Sequence, residues 1–192
     1  MATLTELINM ATEMVQSGGL IIGFLLIIIE AFLPVLPLGA FVTLNVNAFG
    51  IFPGLLLSWI AAIIGSYLMY LLCYYISTKI IYKFLKKETK EKVVDKMTTF
   101  KNIKLTNLVL IITLPFAPSC FINLLAGVSN IKKEKYLLSL IIGKAFMISF
   151  WAYIGMSLIE SLTDIKAIIF ILLILLVAYI VSKIISKKLK IE

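Results

Sequence analysis

The sequence contains no histidine, and this absence excludes several classes of membrane enzyme. Lipid-phosphate phosphatases with a histidine nucleophile and rhomboid-like proteases with a Ser–His pair both need an imidazole for attack or proton transfer. Aspartyl intramembrane proteases need two aspartates within the membrane, whereas Asp95 and Asp164 fall in predicted loops. We therefore expect that the chain is not an enzyme.

Cysteine is also scarce, because the chain contains only Cys73 and Cys120. Each lies inside an apolar stretch and has no neighbouring thiol or histidine that would complete a metal site or a redox pair. Both cysteines are typical of small core residues. The sequence predicts no metal ion and no other cofactor.

Arginine is absent as well, so all 18 basic residues are lysines, and the net charge is +8. Without arginine the chain lacks the planar fork that binds phosphate through two hydrogen bonds. No basic stretch is interleaved with aromatic residues in the pattern that stacks nucleic-acid bases. We expect no nucleic-acid partner and predict that the lysines face anionic membrane lipids.

Long apolar runs dominate the rest of the sequence. Hydrophobic residues make up 61% of the 192 residues, and the mean hydropathy is +1.08, which indicates an integral membrane protein. Crossing a hydrocarbon core of roughly 30 Å takes about 20 apolar residues. The sequence predicts one all-α membrane domain over 1–192, with about four transmembrane helices near 20–33 and its flanks, 53–80, 136–159 and 167–184.

Two further segments are predicted to lie at the membrane surface. In 1–17, apolar residues repeat at helical spacing while Glu6 and Glu13 share the other face, which is typical of an interfacial amphipathic helix. In 81–104, an apolar stripe runs beside many lysines, which favours a loop or helix on an anionic leaflet.

The lysines also predict the topology, because cytoplasmic loops are enriched in lysine. Lysine clusters lie at 79–104, 132–135 and 183–190. The apolar segment 105–131 has such a cluster on each side, so we expect a re-entrant hairpin that enters and leaves by the cytoplasmic face. Segment 34–52 is expected to form a second hairpin from the opposite face. This topology leaves both termini in the cytoplasm of a multi-pass plasma-membrane protein.

Both predicted hairpins carry the same Pro-x-x-Pro spacing. Proline has no backbone N–H and disfavours helix just before itself, so the chain is expected to turn between Pro34 and Pro37 and between Pro115 and Pro118. Irregular backbone at membrane depth is tolerated only where protein buries it or water reaches it. We therefore predict a polar cavity between the hairpins. The alternative is that the prolines only kink two ordinary spans.

The two halves of the chain, 20–80 and 105–159, look like a weak inverted repeat. Each half places an apolar stretch that ends in Ile-Ile-Gly after its hairpin. Paired segments interrupted by glycine or proline in corresponding halves are typical of a transporter binding site. Besides the four prolines, the polar and turn-forming candidates for such a site are Asn45, Asn47, Asn123 and Gly127.

Two charged residues, Glu30 and Lys144, fall inside apolar segments. A charge near mid-membrane costs about 3 kcal/mol on insertion scales, which makes each a functional candidate. Each also has a simpler interpretation: Glu30 as a helix-end carboxylate in interfacial water, and Lys144 as a side chain that extends to the cytoplasmic interface. Counting about 1.5 Å per helical residue places their backbones roughly 12 Å apart in depth. We expect them to face one cavity without a direct bridge.

Several residues around the two turns form a recognisable pattern. In the first half these are Glu30, Pro34-x-x-Pro37, Phe49-Gly50, Gly54, Ser58, Gly65-Ser66 and Tyr70. In the second half these are Pro115-Phe116-Ala117-Pro118, Asn123, Ala126-Gly127, Tyr136 and Gly143. In order and spacing they resemble the DedA family, also called VTT-domain or SNARE-associated Golgi proteins, over roughly residues 20–155. The resemblance implies two opposed re-entrant hairpins.

The resemblance also implies a function in lipid movement. Family members are linked to phospholipid scrambling in eukaryotes and to recycling of undecaprenyl phosphate or phospholipid in bacteria, and some bacterial members to proton motive force and drug tolerance. The family's functional acidic residue carries over onto Glu30. Its second acidic position is missing at 37–39, and its arginine before the second hairpin is missing at 112–114. The chain therefore departs from the proton-coupled, phosphate-clamping pattern.

Taken with the residues themselves, the resemblance predicts a transporter or scramblase for phospholipid or polyprenyl phosphate. Two alternatives stay open: a proton- or ion-coupled transporter of small solutes, and a role in membrane homeostasis without transport. A polar groove open to the lipid would favour lipid transport, and a cavity closed to the lipid would favour solute transport. The oligomeric state is also left open, with a homo-oligomer among the alternatives.

Overall fold

The computed structural model describes residues 4–33, 37–76, 100–160 and 165–188. Within these ranges every regular element is an α-helix. The helices are α1 (Leu4–Ser17), α2 (Gly19–Glu30), α3 (Leu38–Phe49), α4 (Ile51–Tyr75), α5 (Leu105–Thr113), α6 (Ser119–Val128), α7 (Lys133–Glu160) and α8 (Ile165–Lys188). Pro34 and most of the lysine-rich segment 81–104 lie outside the described residues.

Three of the described helices are long and apolar enough to cross a membrane. They cover Ile51–Tyr75, Lys133–Ile159 and Ile168–Ile185. α2 has 12 residues, or about 18 Å at 1.5 Å per residue. It contributes to a fourth span only if it is counted together with α1, from which it is bent by 111°. The predicted all-α membrane fold is confirmed.

α2 and α3 form the first helical hairpin. Gln16, just before α2, donates from Nε2 to the carbonyl of Ala48, near the end of α3, over 3.1 Å. A Cβ atom on Gly23 would collide with the side chain of Asn45, so the two arms pack closely. The hairpin therefore begins and ends at the same end of the molecule. This pair differs from the hairpin expected within 34–52, because α3 is one continuous helix over Leu38–Phe49.

α5 and α6 flank the second proline turn. Lys135, at the start of α7, donates from Nζ to the carbonyl of Ile103, just before α5. Phe100 and Ile103 also share a core cluster with Ile131, just after α6. The segment 105–131 therefore begins and ends at one end of the molecule, where the lysines are concentrated.

The two hairpins enter from opposite ends, because α4 runs from one to the other. α4 begins beside the first hairpin, where a Cβ atom on Gly54 would lie 2.5 Å from the carbonyl oxygen of Asn45. It ends beside the second, where the Tyr70 hydroxyl donates to the carbonyl of Ile131 over 2.6 Å. α4 packs on α2 and α6, and α7 packs on α5 and α3, so each long helix contacts the first arm of its own half and the second arm of the other; α4 also packs on α3 and on α7. This crossed packing brings both proline turns to the centre.

Two hydrogen bonds, one in each half, join residues at corresponding positions of the repeat. Asn45 on α3 donates to the Ser58 hydroxyl on α4 over 3.0 Å. Tyr136 on α7 donates to Oδ1 of Asn123 on α6 over 2.5 Å. Each bond spans 13 residues of the chain. The inverted repeat suggested by the sequence is therefore visible in single contacts.

Two glycines continue this register along the long helices. Gly65 follows Ser58 on α4 at the same interval at which Gly143 follows Tyr136 on α7. A Cβ atom on Gly65 would lie 3.0 Å from Cα of Ile28 on α2, and one on Gly143 would lie 2.6 Å from the side chain of Ile112 on α5. Each glycine lets the first hairpin arm of its half approach the long helix.

α1 and the last turns of α8 lie at opposite ends of the molecule. Leu7 and Ile8 of α1 share a cavity with Leu158 and Ile159, near the end of α7. Four residues of sequence separate α7 from α8, which then packs back along α7. Ile185 of α8 packs against the core cluster of the second hairpin. α1 therefore lies at the end from which the first hairpin enters, and α8 finishes at the lysine-rich end.

Candidate functional site

A cavity of about 700 Å³, here named the central cavity, lies where the two proline turns meet. One side comes from α1, the end of α2 and the start of α3, and the other from the second turn, the start of α6 and α7. It is lined by Leu7, Ile8, Ala11, Glu30, Pro37, Leu38, Gly39, Ala40, Thr43, Leu44, Pro115, Phe116, Ala117, Pro118, Ser119, Cys120, Met147, Trp151, Ile154, Gly155, Leu158 and Ile159.

Glu30 supplies the carboxylate of the central cavity. It is the last residue of α2, and only 8% of its surface is exposed. Among the described residues that line the cavity, it is the one with a charged side chain. Burying a carboxylate is costly unless hydrogen bonds or an opposite charge offset its lost hydration. Its position therefore calls for a polar or cationic partner within the site.

Lys144 of α7 supplies that positive charge from just behind the cavity wall. Its side chain is 2% exposed, and Nζ donates to the Ser119 hydroxyl over 3.1 Å. Nζ also lies 3.9 Å from Sδ of Met147. Ser119 and Met147 both line the cavity, as Glu30 does. The site thus combines one charge of each sign, one from each half of the repeat.

The first turn of α6 adds partial positive charge to the same wall. The first N–H groups of a helix have no intrahelical acceptor, and together they carry about half an elementary charge. The N–H group of Ile122 donates to the carbonyl of Pro118. The N–H groups of α6 before Ile122 therefore lie ahead of the first hydrogen bond of the helix. Ser119 and Cys120 of this turn line the cavity. With Lys144 behind Ser119, this wall is suited to an anion.

Aromatic rings connect the central cavity to α8. Phe116, in the second turn, meets Trp151 of α7 edge to face, with ring centroids 5.7 Å apart. On another side it meets Tyr179 of α8 in the same geometry at 5.7 Å. Trp151 in turn packs against Gly39, where a Cβ atom would lie 2.5 Å from the indole ring. Phe116 is therefore the contact between the cavity wall and the last helix.

The prolines predicted to form the turns lie at the central cavity wherever the structure describes them. Pro37, Pro115 and Pro118 all line it, while Pro34 lies outside the described residues. Together with Glu30, which ends the first hairpin arm, they place both backbone breaks around one space.

The predicted asparagines serve the packing of the helices and do not line the central cavity. Asn45 is 1% exposed and, besides its bond to α4, donates to the carbonyl of Gly23 on α2 over 3.2 Å. Asn123 accepts the bond from Tyr136 and ties α6 to α7. Asn47 is exposed. The two buried asparagines therefore hold the hairpins in place.

Gly127, the remaining predicted residue, allows α6 to approach α4. A Cβ atom at this position would lie 2.6 Å from the carbonyl oxygen of Tyr70 and 3.0 Å from the backbone nitrogen of Tyr74. Because both neighbours are backbone atoms, they cannot move aside as a flexible side chain would. Its role is a packing role that positions the second hairpin.

Most of the lining residues were not predicted as site residues from the sequence, among them Ser119, Thr43 and Trp151. Ser119 directly follows Pro118, and serine is common where helices begin, so a signal for a helix start was present. Thr43 bonds back to the carbonyl of Gly39 over 2.7 Å. Trp151 lies within a uniformly apolar run, and no pattern in that run distinguishes it.

The fold and site define a multi-pass helical membrane protein with two opposed hairpins around a charged cavity. The family model for the VTT domain matches residues 33–157. The chain is also similar to the uncharacterized membrane protein YhjE of Bacillus subtilis (strain 168), with 33% identity over 177 residues, which cover 90% of this chain and 84% of the relative. No solved structure matches. The chain therefore belongs to the VTT-domain family, the DedA family, and the resemblance seen in the sequence is confirmed.

Proposed function

We propose that this protein moves phospholipid or polyprenyl phosphate between the leaflets of the cell membrane, with the headgroup passing through the central cavity. The observation that carries the proposal is the meeting of two backbone breaks, from opposite ends of the fold, around Glu30 and the Ser119–Lys144 contact. These groups are polar partners within a mostly apolar lining, and a headgroup needs such partners in order to cross.

The physical benefit of such a path is a lower barrier. A phosphate headgroup that enters hydrocarbon loses its hydrogen bonds, and an unpaired polar group there costs several kcal/mol. The Ser119 hydroxyl, the first N–H groups of α6 and Lys144 offer partners for phosphate halfway across. Glu30 offsets the charge of Lys144 while the cavity is empty, and phosphate takes over that role when it enters. No covalent bond forms or breaks, so the process needs neither an enzyme reaction nor a cofactor.

The orientation that we propose keeps the lysine-rich end in the cytoplasm, where it faces anionic lipid. With three helices that cross by length, the N-terminal helix α1 then lies on the outer face, and α8 ends inside. The sequence-based expectation of two cytoplasmic termini required a fourth crossing at 20–33. In the orientation proposed here, α2 is an arm of the first hairpin that ends at Glu30, and α1 and α2 are not counted as one bent span.

A second candidate function is proton- or ion-coupled transport of a small solute. It is favoured by one observation, the pair of opposite buried charges that Glu30 and Lys144 contribute to one site. Ionisable pairs of this kind are typical of proton and ion pathways in membranes.

Reconstitution into vesicles tests the proposal against this alternative. Vesicles that carry a headgroup-labelled phospholipid are exposed to an impermeant quencher, with and without the purified protein. We expect the protein to make the inner-leaflet label accessible on the timescale of the assay. Failure with anionic, zwitterionic and polyprenyl phosphate lipids alike, combined with proton or solute uptake by the same vesicles, would support the alternative.

A further inference from the structure

A second cavity of about 480 Å³, here named the side cavity, lies between α7, α8 and the second proline turn. α7 contributes Phe146 and Phe150, and α8 contributes aliphatic residues such as Leu173 and Val177. Thr113 is the one lining side chain with a polar atom among the described residues. Its hydroxyl is already bonded to the carbonyl of Val109, one turn earlier in α5. The side cavity therefore offers shape and apolar surface, and no free polar side chain.

The side cavity lies next to the central cavity, and the two share one lining residue. Pro115 lines both of them. The next residue, Phe116, lines the central cavity and touches Tyr179 on α8. One turn of the chain therefore separates a space suited to a phosphate from a space suited to hydrocarbon. A membrane lipid has the same two parts joined by a few bonds.

We propose that the side cavity binds a hydrocarbon tail of the lipid whose headgroup occupies the central cavity. This inference rests on the proposed function and names the place of the tail within the same site. Because lipid tails are as apolar as the cavity, binding here depends on shape and packing more than on removal of water. The tail leaves the headgroup site past Pro115, between α7 and α8, while the headgroup remains beside Ser119. The site thereby recognises a lipid with a flexible chain and not phosphate alone.

Two neighbouring leucines on α8 provide a matched test. Leu173 lines the side cavity and is 55% exposed, whereas Leu172 does not line it and is 57% exposed. Leu173→Trp places a ring in the side cavity, and Leu172→Trp places the same ring on the outer surface of the same helix. Both variants carry the same change in composition, so a general effect of tryptophan on insertion or folding would affect both.

The first readout is crosslinking from a phosphatidylglycerol with a diazirine in one tail, in vesicles of phosphatidylethanolamine and phosphatidylglycerol. We expect peptides that contain Phe146, Phe150 and Leu173 to carry the label in the wild type and in Leu172→Trp, and to lose it in Leu173→Trp. Labelling spread evenly over the exposed surface of α8, or labelling unchanged by Leu173→Trp, would overturn the assignment.

The second readout is the transbilayer rate of the same lipid. We expect Leu173→Trp to lower it by about tenfold, the low end for a changed fit in an apolar pocket, and Leu172→Trp to leave it unchanged. Equal rates for Leu173→Trp and the wild type would overturn a role of the side cavity in transport. A wild type that moves no lipid but still labels at the side cavity would remove the proposed function while keeping the tail site, so the two failures are distinguishable.

Discussion

Lys144 of α7 donates a hydrogen bond over 3.1 Å to the hydroxyl of Ser119, the first residue of α6. This contact joins the long helix of the second half to its own hairpin at the point where the backbone is broken. Glu30 ends the first hairpin arm at the same cavity. Each half of the repeat therefore supplies one charged residue at this place.

Lys144→Met is predicted to lower the transbilayer rate of an anionic phospholipid more than that of a zwitterionic one. A hydrogen bond to a charged group contributes about 1.5–3 kcal/mol, so we expect a loss of about tenfold or more for phosphatidylglycerol. The matched control is Lys132→Met at an exposed position, which should leave both rates unchanged. Unchanged rates for both lipids would contradict a role of Lys144 at the headgroup, and equal losses would show that it acts on the phosphate that both lipids carry and not on their net charge.

Asn45 and Asn47 provide a test of the packing role assigned to the buried asparagines. Asn45→Ala removes the donor to the Gly23 carbonyl and the Ser58 hydroxyl, which should lower the free energy of unfolding by about 1–3 kcal/mol. Asn47→Ala changes the same residue type at an exposed position and should have little effect. Thermal unfolding in detergent measures both, and similar melting temperatures for the two variants would contradict the assignment.

The two cysteines report on access to the central cavity. Cys120 lines it, whereas Cys73 is 5% exposed and packs beneath Gly127. We expect N-ethylmaleimide to modify Cys120 faster than Cys73, and added phosphatidylglycerol to slow the reaction at Cys120 alone. Mass spectrometry of the two peptides measures both rates, and protection of neither cysteine by lipid would argue against a headgroup in the cavity.

Labelling of single cysteines tests the proposed orientation. In a protein with Cys73→Ala and Cys120→Ala, Glu13→Cys on α1 should react with an impermeant reagent only from outside the cell, and Lys132→Cys only after the membrane is opened. Reaction of both positions only after the membrane is opened would instead support the four-crossing topology with both termini inside.

The second hairpin could be predicted from the sequence because its signals are local. The lysines on each side of 105–131 require the segment to start and end at one face, and Lys135 does meet Ile103 across its base. The first hairpin was expected at 34–52, because the preceding apolar run looks like a span by composition alone, whereas α2 and α3 are the helices that pack closely in the described residues. Its arm is recognisable only through close packing, such as that of Gly65 against Ile28.

The partners of the site residues could not be read from the sequence for a similar reason. Lys144 and Ser119 are 25 residues apart, and they meet only because α7 packs across both hairpins. Asn45 looks like a turn residue at the level of sequence, but its partners on α2 and α4 show that it is a packing residue. Glu30 stood out in the sequence because a carboxylate is costly inside an apolar run.

Passage of the headgroup beside Glu30 is tested most directly by the transbilayer rates of wild type, Glu30→Gln and Glu13→Gln in the same vesicles. Glu30→Gln keeps the size of the side chain but leaves Lys144 without a carboxylate to replace the departing phosphate. We predict that it slows phosphatidylglycerol by about tenfold, equivalent to about 1.4 kcal/mol, while Glu13→Gln on the exposed face of α1 matches the wild type. A folded Glu30→Gln protein that moves lipid as fast as the wild type would contradict a headgroup path through the central cavity.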